Sequence, residues 1–141
     1  MASPQKDQYI ELAVGAEICA IPIEEIHEII KMLSITDIPF SRSEVKGVVN
    51  LRGKVVCVLS LRHMLGMPDE PYTRESRIIV VRYREEFVGL IVDKVIKVTS
   101  YGELHPVSAS LGRLREGVFQ GIGQQGEQLV GILKLEELLG G

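Results

Sequence analysis

The chain has 141 residues, of which 45% are hydrophobic, and a formal net charge of −3 at pH 7. This apolar fraction supports a folded core and excludes a disordered chain. The acidic balance is unlike that of proteins that bind nucleic acids or anionic membranes, in which basic residues cluster. No apolar run approaches the roughly 20 residues that a transmembrane helix needs, so direct membrane insertion is not expected.

The first half of the chain begins with β-strand patterns. Apolar residues alternate from Ile10 to Val14, a turn follows at Gly15–Ala16, and a second strand is predicted over Ile18–Ile21. Pro22 then begins a predicted short helix, because Pro suits the first helical turn and the isoleucines that follow have helical spacing. A third strand is predicted to reach Ile38–Pro39.

The segment Gly47–Leu61 predicts a β-hairpin with a polar tip. Two β-branched runs flank a turn that contains Asn50, Arg52 and Gly53, and Asn and Gly supply the backbone freedom that a tight connection needs. The second run, Val55–Leu61, is apolar enough to lie largely in a core. Arg52 is expected to stand in solvent on a rigid base, where a charged group serves contact with a partner more often than catalysis.

The second half of the chain repeats the first. An offset of 69 residues aligns the opening strands of the two halves, an offset of 70 sets Gly47 against Gly117, and an offset of 74 sets Val55–Leu61 against Leu129–Leu135. Self-similarity of this length indicates two copies of one unit. The second-half equivalent of the predicted helix, Asp93–Val98, is β-branched and also fits a strand.

Five short strands and a closing helix in each copy describe a small closed barrel. The chain is therefore expected to be one domain over residues 1–141, with a first barrel roughly over residues 8–66, a second roughly over residues 76–140, and strands free to be exchanged between them. A unit of about 70 residues is near the lower limit for a self-sufficient core. An apolar seam should therefore run between two packed barrels, and a partner should lie in this seam or along a barrel edge.

The sequence offers no catalytic, cofactor or metal site. Gly121–Gly126 matches the dinucleotide pattern G-x-G-x-x-G, but a strand over Leu129–Leu133 follows it, whereas a nucleotide loop requires a helix that holds the pyrophosphate. A hairpin turn is therefore predicted. Cys19 and Cys57 lie in apolar strand patterns and are expected to be reduced core thiols of a cytoplasmic protein. The three histidines lack a second ligand at metal spacing.

Two features keep two interpretations when the residues are considered alone. Arg52 is either a solvated residue or an interaction hot spot. The isoleucines after Pro22 are either core or interface residues. Four of them within eight residues cannot all point inwards on a short helix, so one face should remain available to a partner. These four are Ile23, Ile26, Ile29 and Ile30.

Four segments together resemble the CheW-type chemotaxis coupling proteins. They are Cys19–Ile30, Gly47–Gly53, Val88–Asp93 and Leu129–Leu139. The Asn-Leu-Arg-Gly string of the second segment is the most specific, and the resemblance covers nearly the whole chain in order. It implies a mainly β fold of two five-stranded SH3-like β-barrels related by pseudo-twofold symmetry, with short helices.

The resemblance implies a non-enzymatic adaptor without a cofactor. Such proteins bind the cytoplasmic tip of chemoreceptors (methyl-accepting chemotaxis proteins) and the regulatory domain of the histidine kinase CheA, and through these partners they join receptor arrays at the inner membrane. It also implies which residues bind protein. These are Ile23, Ile26, Glu28 and Ile29 in the segment for receptor contact, Gly47, Asn50 and Arg52 in the hairpin, and Val88 in the wall shared with the second barrel.

Three positions depart from the family pattern, and two other functions stay open. Cys19 stands where an aromatic residue is common, and Ser60 and Lys134 stand where Asp is frequent; these changes bear on the choice of partner. The first alternative is a CheW-like scaffold of another chemosensory pathway, such as surface motility or second-messenger output. The second is an unrelated small-barrel binder of nucleic acid or a small ligand, and the lack of a basic groove with interleaved aromatic residues disfavours nucleic acid.

Overall fold

A computed structural model describes residues 7–39, 41–107 and 117–140 of the chain. The strands are β1 (Tyr9–Val14), β2 (Glu17–Pro22), β3 (Ile26–Lys31), β4 (Val45–Leu51), β5 (Lys54–Ser60), β6 (Arg77–Tyr83), β7 (Glu86–Val92), β8 (Lys94–Thr99), β9 (Glu103–His105), β10 (Phe119–Gln125) and β11 (Gln128–Leu133). The α-helices of these residues are α1 (Leu61–Met64) and α2 (Leu135–Gly140). Within the described ranges, no helix is long and apolar enough to cross a lipid bilayer.

The strands form two sheets, which confirms the mainly β prediction and is consistent with two SH3-like barrels. The five-stranded sheet has the order β3-β6-β7-β5-β4, and the six-stranded sheet has the order β8-β1-β2-β11-β10-β9. The sixth strand, β9, has as its first-half counterpart only an isolated bridge between Thr36 and Val48.

Each sheet combines strands from both halves of the chain. The hairpin β1–β2 lies in the six-stranded sheet with the later strands, and the hairpin β6–β7 lies in the five-stranded sheet with the earlier ones. A parallel pair joins each exchanged hairpin to its sheet, with Val88 opposite Cys57 in one and Cys19 opposite Gly131 in the other. Neither sheet is therefore built from one continuous stretch of chain.

The pairing register corrects one part of the repeat alignment. The β4–β5 hairpin has a register shift between Val45 and Gly47, and the β10–β11 hairpin has one between Phe119 and Gly121. Gly47 is therefore equivalent to Gly121, at an offset of 74 residues, and its alignment with Gly117 is wrong. The extra residues of the second half precede β10, and short apolar strings fit on either side of such an insertion.

The helix predicted after Pro22 is also wrong over most of its length. A single 3₁₀ turn spans Ile23–Glu25, and β3 begins at Ile26 and pairs with β6. The pairing shifts between Ile26 and Glu28, so β3 contains a β-bulge. An extra residue in a strand places side chains three apart on the same face, and Ile26 and Ile29 both pack against the core between the sheets. A bulged strand therefore gives the apolar spacing that we interpreted as helical.

Three apolar clusters hold the two sheets together. One fills the five-stranded sheet around Val58 and Val80, one fills the six-stranded sheet around Tyr101 and Val130, and the largest lies between the sheets around Leu12. In β6, alternate residues serve different clusters, so that the whole run 78–81 is fully buried. Opposite faces of a strand alternate by residue, and the continuous apolar runs of β1 and β6 follow from burial on both faces.

A polar contact also crosses between the halves. Arg62 of α1 donates from Nε and Nη2 to the Asp93 carboxylate at 2.9 and 2.7 Å, and the backbone N–H of Gly15 donates to the same carboxylate at 2.7 Å. The hydrogen bond from Arg62 is the main reason that the pKa of Asp93 lies below its usual range, and the bond from Gly15 lowers it further. The contact fixes the β1–β2 turn and the end of β7 to α1.

Candidate protein-interaction site

The tip of the β4–β5 hairpin is a rigid two-residue turn. Arg52 and Gly53 have φ values of 51° and 85°, the left-handed backbone that the hairpin turns with the best twist require. The side chain of Asn50 accepts a hydrogen bond from the Gly53 N–H at 2.8 Å and holds the turn. Asn50 and Arg52 are both exposed, as the sequence predicted. Because Asn or Gly is preferred at the first turn position, Arg52 adopts this backbone at a cost in stability.

Two of the expected binding residues meet directly. Arg52 Nη2 lies 2.5 Å from Glu28 Oε1, with side-chain exposures of 66% and 24%. Glu28 lies on β3 and Arg52 follows β4, and these strands are the two edges of the five-stranded sheet. The sheet therefore curls until its edges approach, and the ion pair bridges them.

The expected apolar binding residues lie on the outer face of the same sheet. Ile26, Val81 and Val88 form one cross-strand row. Ile26, Ile29 and Val88 are half-buried and pack against the cluster between the sheets. Ile23 precedes this face in the 3₁₀ turn and is 38% exposed. The sequence thus placed these residues near one another, but Glu28 faces the other side of the sheet, because it pairs with the inward-facing Val80.

Gly47 has a backbone role in the structure. Its φ of 140° lies in a region that L side chains rarely adopt, and a Cβ there would stand 2.1 Å from the carbonyl oxygen of Thr36. Thr36 and Val48 exchange backbone hydrogen bonds of 2.8 and 2.9 Å at this point. Gly47 therefore lets the preceding loop reach the hairpin, and it is buried.

Sequence reasoning missed four residues around the hairpin tip. The rings of His27 and Phe87 stack with centroids 4.3 Å apart. The cationic groups of Lys54 and Arg82 lie 5.6 and 5.5 Å from the Phe87 centroid, within the range of cation–π contacts. We call Glu28, Arg52, Lys54, Arg82 and Phe87 the mouth of the five-stranded sheet. Strand alternation could have assigned each residue a face, but only the register brings them together.

A second apolar surface lies on the six-stranded sheet. It is a groove of about 220 Å³ that is open to solvent. Leu129 on its rim is 61% exposed, and the equivalent residue of the other sheet, Val55, is 73% exposed. Cys19, Leu65, Phe119 and Ile122 are among the groove's other lining residues.

The remaining chemical motifs have structural roles. The segment Gly121–Gly126 belongs to β10 and its turn into β11, so the predicted hairpin is confirmed. Burial raises the pKa of Cys19 to about 12 and also raises that of Cys57, which disfavours reactive thiolates. Both cysteines are free. In the described residues, no group of three or more His, Cys, Asp or Glu could hold a metal ion.

Comparisons with known proteins agree on one family. The CheW-like domain matches residues 8–141, which include both sheets. The chemotaxis protein CheW of Helicobacter pylori is 35% identical over 134 residues, 94% of this chain and 81% of that protein. Protein PilI of Pseudomonas aeruginosa is 32% identical over 116 residues, 78% of this chain and 65% of that protein. The crystal structure of the scaffolding protein TtCheW from Thermoanaerobacter tengcongensis has a TM-score of 0.88 and 29% identity, covering 96% of this chain and 89% of that one.

Proposed function

This chain belongs to the CheW-like domain family, and from that premise we propose that it couples the cytoplasmic tips of chemoreceptors to the histidine kinase CheA in bacterial chemotaxis. The relative from Helicobacter pylori is named a chemotaxis protein, and the matching crystal structure is titled a scaffolding protein. The chain is accordingly a non-enzymatic scaffold, whose function is to hold other proteins in position.

The single observation that carries this proposal is the Arg52–Glu28 pair on the hairpin tip. Arg52 is exposed and held by a hydrogen-bonded turn, so its position is fixed before a partner arrives, which lowers the entropy cost of binding. A turn selected for stability alone would carry Asn or Gly at position 52. An arginine kept in a costly backbone conformation supports a binding role.

Two separate surfaces support coupling rather than binding alone. The mouth and its neighbouring isoleucines belong to the five-stranded sheet, whereas the apolar groove belongs to the six-stranded sheet. In this proposal the receptor tip binds beside Glu28 and Arg52, and the regulatory domain of CheA binds a different face. A shift of the receptor helices would then reach the kinase through the packed cluster between the sheets, by a change in relative position without chemistry.

Co-sedimentation with receptor-containing membranes tests the proposal. We expect the protein to sediment with membranes that contain receptors, to recruit CheA to them, and to stay in the supernatant with receptor-free membranes. The last result follows because the proposed cytoplasmic protein reaches the array only through its partners. Failure to sediment with receptors in both the presence and the absence of CheA would overturn the proposal.

A second candidate is a scaffold in another chemosensory pathway. The similarity to Protein PilI of Pseudomonas aeruginosa supports it, because that relative has a name of its own at nearly the same identity as the chemotaxis protein of Helicobacter pylori. Pull-down from the protein's own cells separates the two candidates. Recovery of the chemotaxis kinase supports the first, and recovery of a kinase from another chemosensory system supports the second.

A further inference from the structure

The mouth of the five-stranded sheet has a definite composition. Arg82 is paired with Phe87 across β6 and β7, and Lys54 is paired with Leu51 across the β4–β5 hairpin. Phe87 packs against the cluster inside this sheet, with the exposed Lys54 and Arg82 on either side. The exposed His27 stacks on the same ring. The mouth is therefore an aromatic floor with cations at its rim.

The charges of the mouth do not cancel. Arg52 is paired with Glu28, but Lys54 and Arg82 form no ion pair within the part of the chain that the structure describes. Glu86 precedes Phe87 and lies towards the outer face, where its charge raises the pKa of Cys57. Two uncompensated cations thus stand together on a chain whose formal net charge is −3.

The second copy of the unit shows that the fold does not require this composition. Its pairings place Ala13 where Arg82 lies, Ile18 where Phe87 lies, and Gln128 where Lys54 lies. The position of Glu28 is taken by Lys97, which donates a hydrogen bond to Gln125. One mouth is thus basic and aromatic, whereas its counterpart carries a single cation and no aromatic ring.

We infer that the mouth of the five-stranded sheet binds an acidic side chain of the chemoreceptor tip. A carboxylate placed between Lys54 and Arg82 would complete two ion pairs beside an apolar ring that limits access of water, which strengthens such contacts. The inference rests on the proposed function and adds a charge requirement to it. The receptor is favoured over the kinase because Glu28 and Arg52, in the segments assigned to partner contact, belong to the same mouth.

Affinity measurements with separate partners test this charge requirement. The double variant Lys54→Gln/Arg82→Gln removes both free cations, and Lys97→Gln/Lys134→Gln removes two exposed cations elsewhere, one of them from the equivalent mouth. Each protein is titrated with a receptor cytoplasmic fragment and with the regulatory domain of CheA, at low and high salt. Melting temperatures verify that all variants are folded.

We expect the mouth variant to bind the receptor fragment roughly three- to thirtyfold more weakly than the wild type, as two partly exposed ion pairs would give. Its receptor affinity should also depend less on salt, while its affinity for the kinase domain and both affinities of the control variant stay within about twofold. Lys54→Glu/Arg82→Glu should weaken receptor binding further, because it repels a carboxylate.

The contrary outcomes are distinct. Wild-type binding to both partners together with unchanged receptor affinity of the mouth variant would overturn this inference and leave the proposed function in place. Equal weakening by the control variant, or weakening towards the kinase domain alone, would also overturn it. A wild-type protein that binds neither partner would overturn the proposed function, and this inference with it.

Discussion

Arg52 and Glu28 lie on opposite edges of the five-stranded sheet, and yet their side chains are 2.5 Å apart. The contact shows that the sheet curls into a nearly closed form, with β3 and β4 facing each other across the gap. It also joins the receptor-contact segment and the hairpin, two regions that are more than 20 residues apart in the chain. The same two residues can therefore serve barrel closure and partner binding, and variants can separate these roles.

The substitution Arg52→Glu should weaken partner binding and leave the fold intact. The pair is largely exposed on the arginine side, so its loss should change the free energy of unfolding by less than about 1 kcal/mol. A glutamate at the tip would face Glu28 and repel an acidic partner. We expect affinity for the receptor fragment or the CheA regulatory domain to fall roughly tenfold or more, measured by titration calorimetry.

The charge-swapped variant Glu28→Arg/Arg52→Glu is the matched control. It restores the internal ion pair with reversed polarity, so it should regain any stability lost by the single variant. Binding should stay weak if the arginine itself contacts the partner. Unchanged affinity of Arg52→Glu for both partners would contradict the binding role.

Val58→Asp should unfold the five-stranded sheet. Val58 is fully buried in the cluster inside this sheet, and an unpaired carboxylate there should cost about 4 kcal/mol or more. The control is Val55→Asp on the same strand, whose side chain is 73% exposed. Thermal unfolding followed by circular dichroism should show a large loss for position 58 and a small change for position 55. Equal melting temperatures would contradict the burial of Val58.

Gly47→Ala should destabilise the protein by about 2–3 kcal/mol. The added Cβ would collide with the Thr36 carbonyl oxygen, and the φ of 140° is strained for any L side chain. Gly102 has open space around its Cβ position, so Gly102→Ala should be nearly neutral. Urea unfolding curves measure both. If Gly47→Ala were as stable as Gly102→Ala, Gly47 would have no backbone role and its part in the site would need another explanation.

Asp93→Asn should lower stability at neutral pH and weaken its acid dependence. Removing the charge weakens the hydrogen bonds from Arg62, at a cost of about 1.5–3 kcal/mol. The pKa of Asp93 is depressed in the folded protein, so its contribution is present above the unfolded-state value of about 4 and is lost as the pH falls through the lower folded value. The pKa values of Glu44 and Asp69 are lowered as well, so some acid destabilisation should remain in the variant.

Melting temperatures from pH 7 to pH 2.5 measure this effect. The difference between the wild type and Asp93→Asn should be largest at neutral pH and shrink below about pH 4. A difference that stays constant over this range would show that the Asp93 charge does not stabilise the folded state.

The sequence by itself determined the features that depend on neighbouring residues. Strand alternation, the internal repeat, the Asn50–Gly53 turn and the hairpin at Gly121–Gly126 were all predicted, because side-chain periodicity and turn chemistry act within a few residues. The resemblance of the segment around Arg52 to the CheW family also needed no coordinates. The exposure of Arg52 and the burial of Val58 followed from the same local patterns.

Only the tertiary structure decided which distant strands meet. The exchange of the β1–β2 and β6–β7 hairpins depends on burying both of their faces, and no local pattern states which sheet supplies the cover. The bulge in β3 is fixed by pairing with β6, so the spacing of Ile26 and Ile29 was taken for a helix. The mouth arises from cross-strand register and sheet curvature, which bring Arg82 and Phe87 of one half beside Lys54 and Glu28 of the other. Such contacts form only when the burial of whole sheets outweighs the entropy cost of closing the intervening chain.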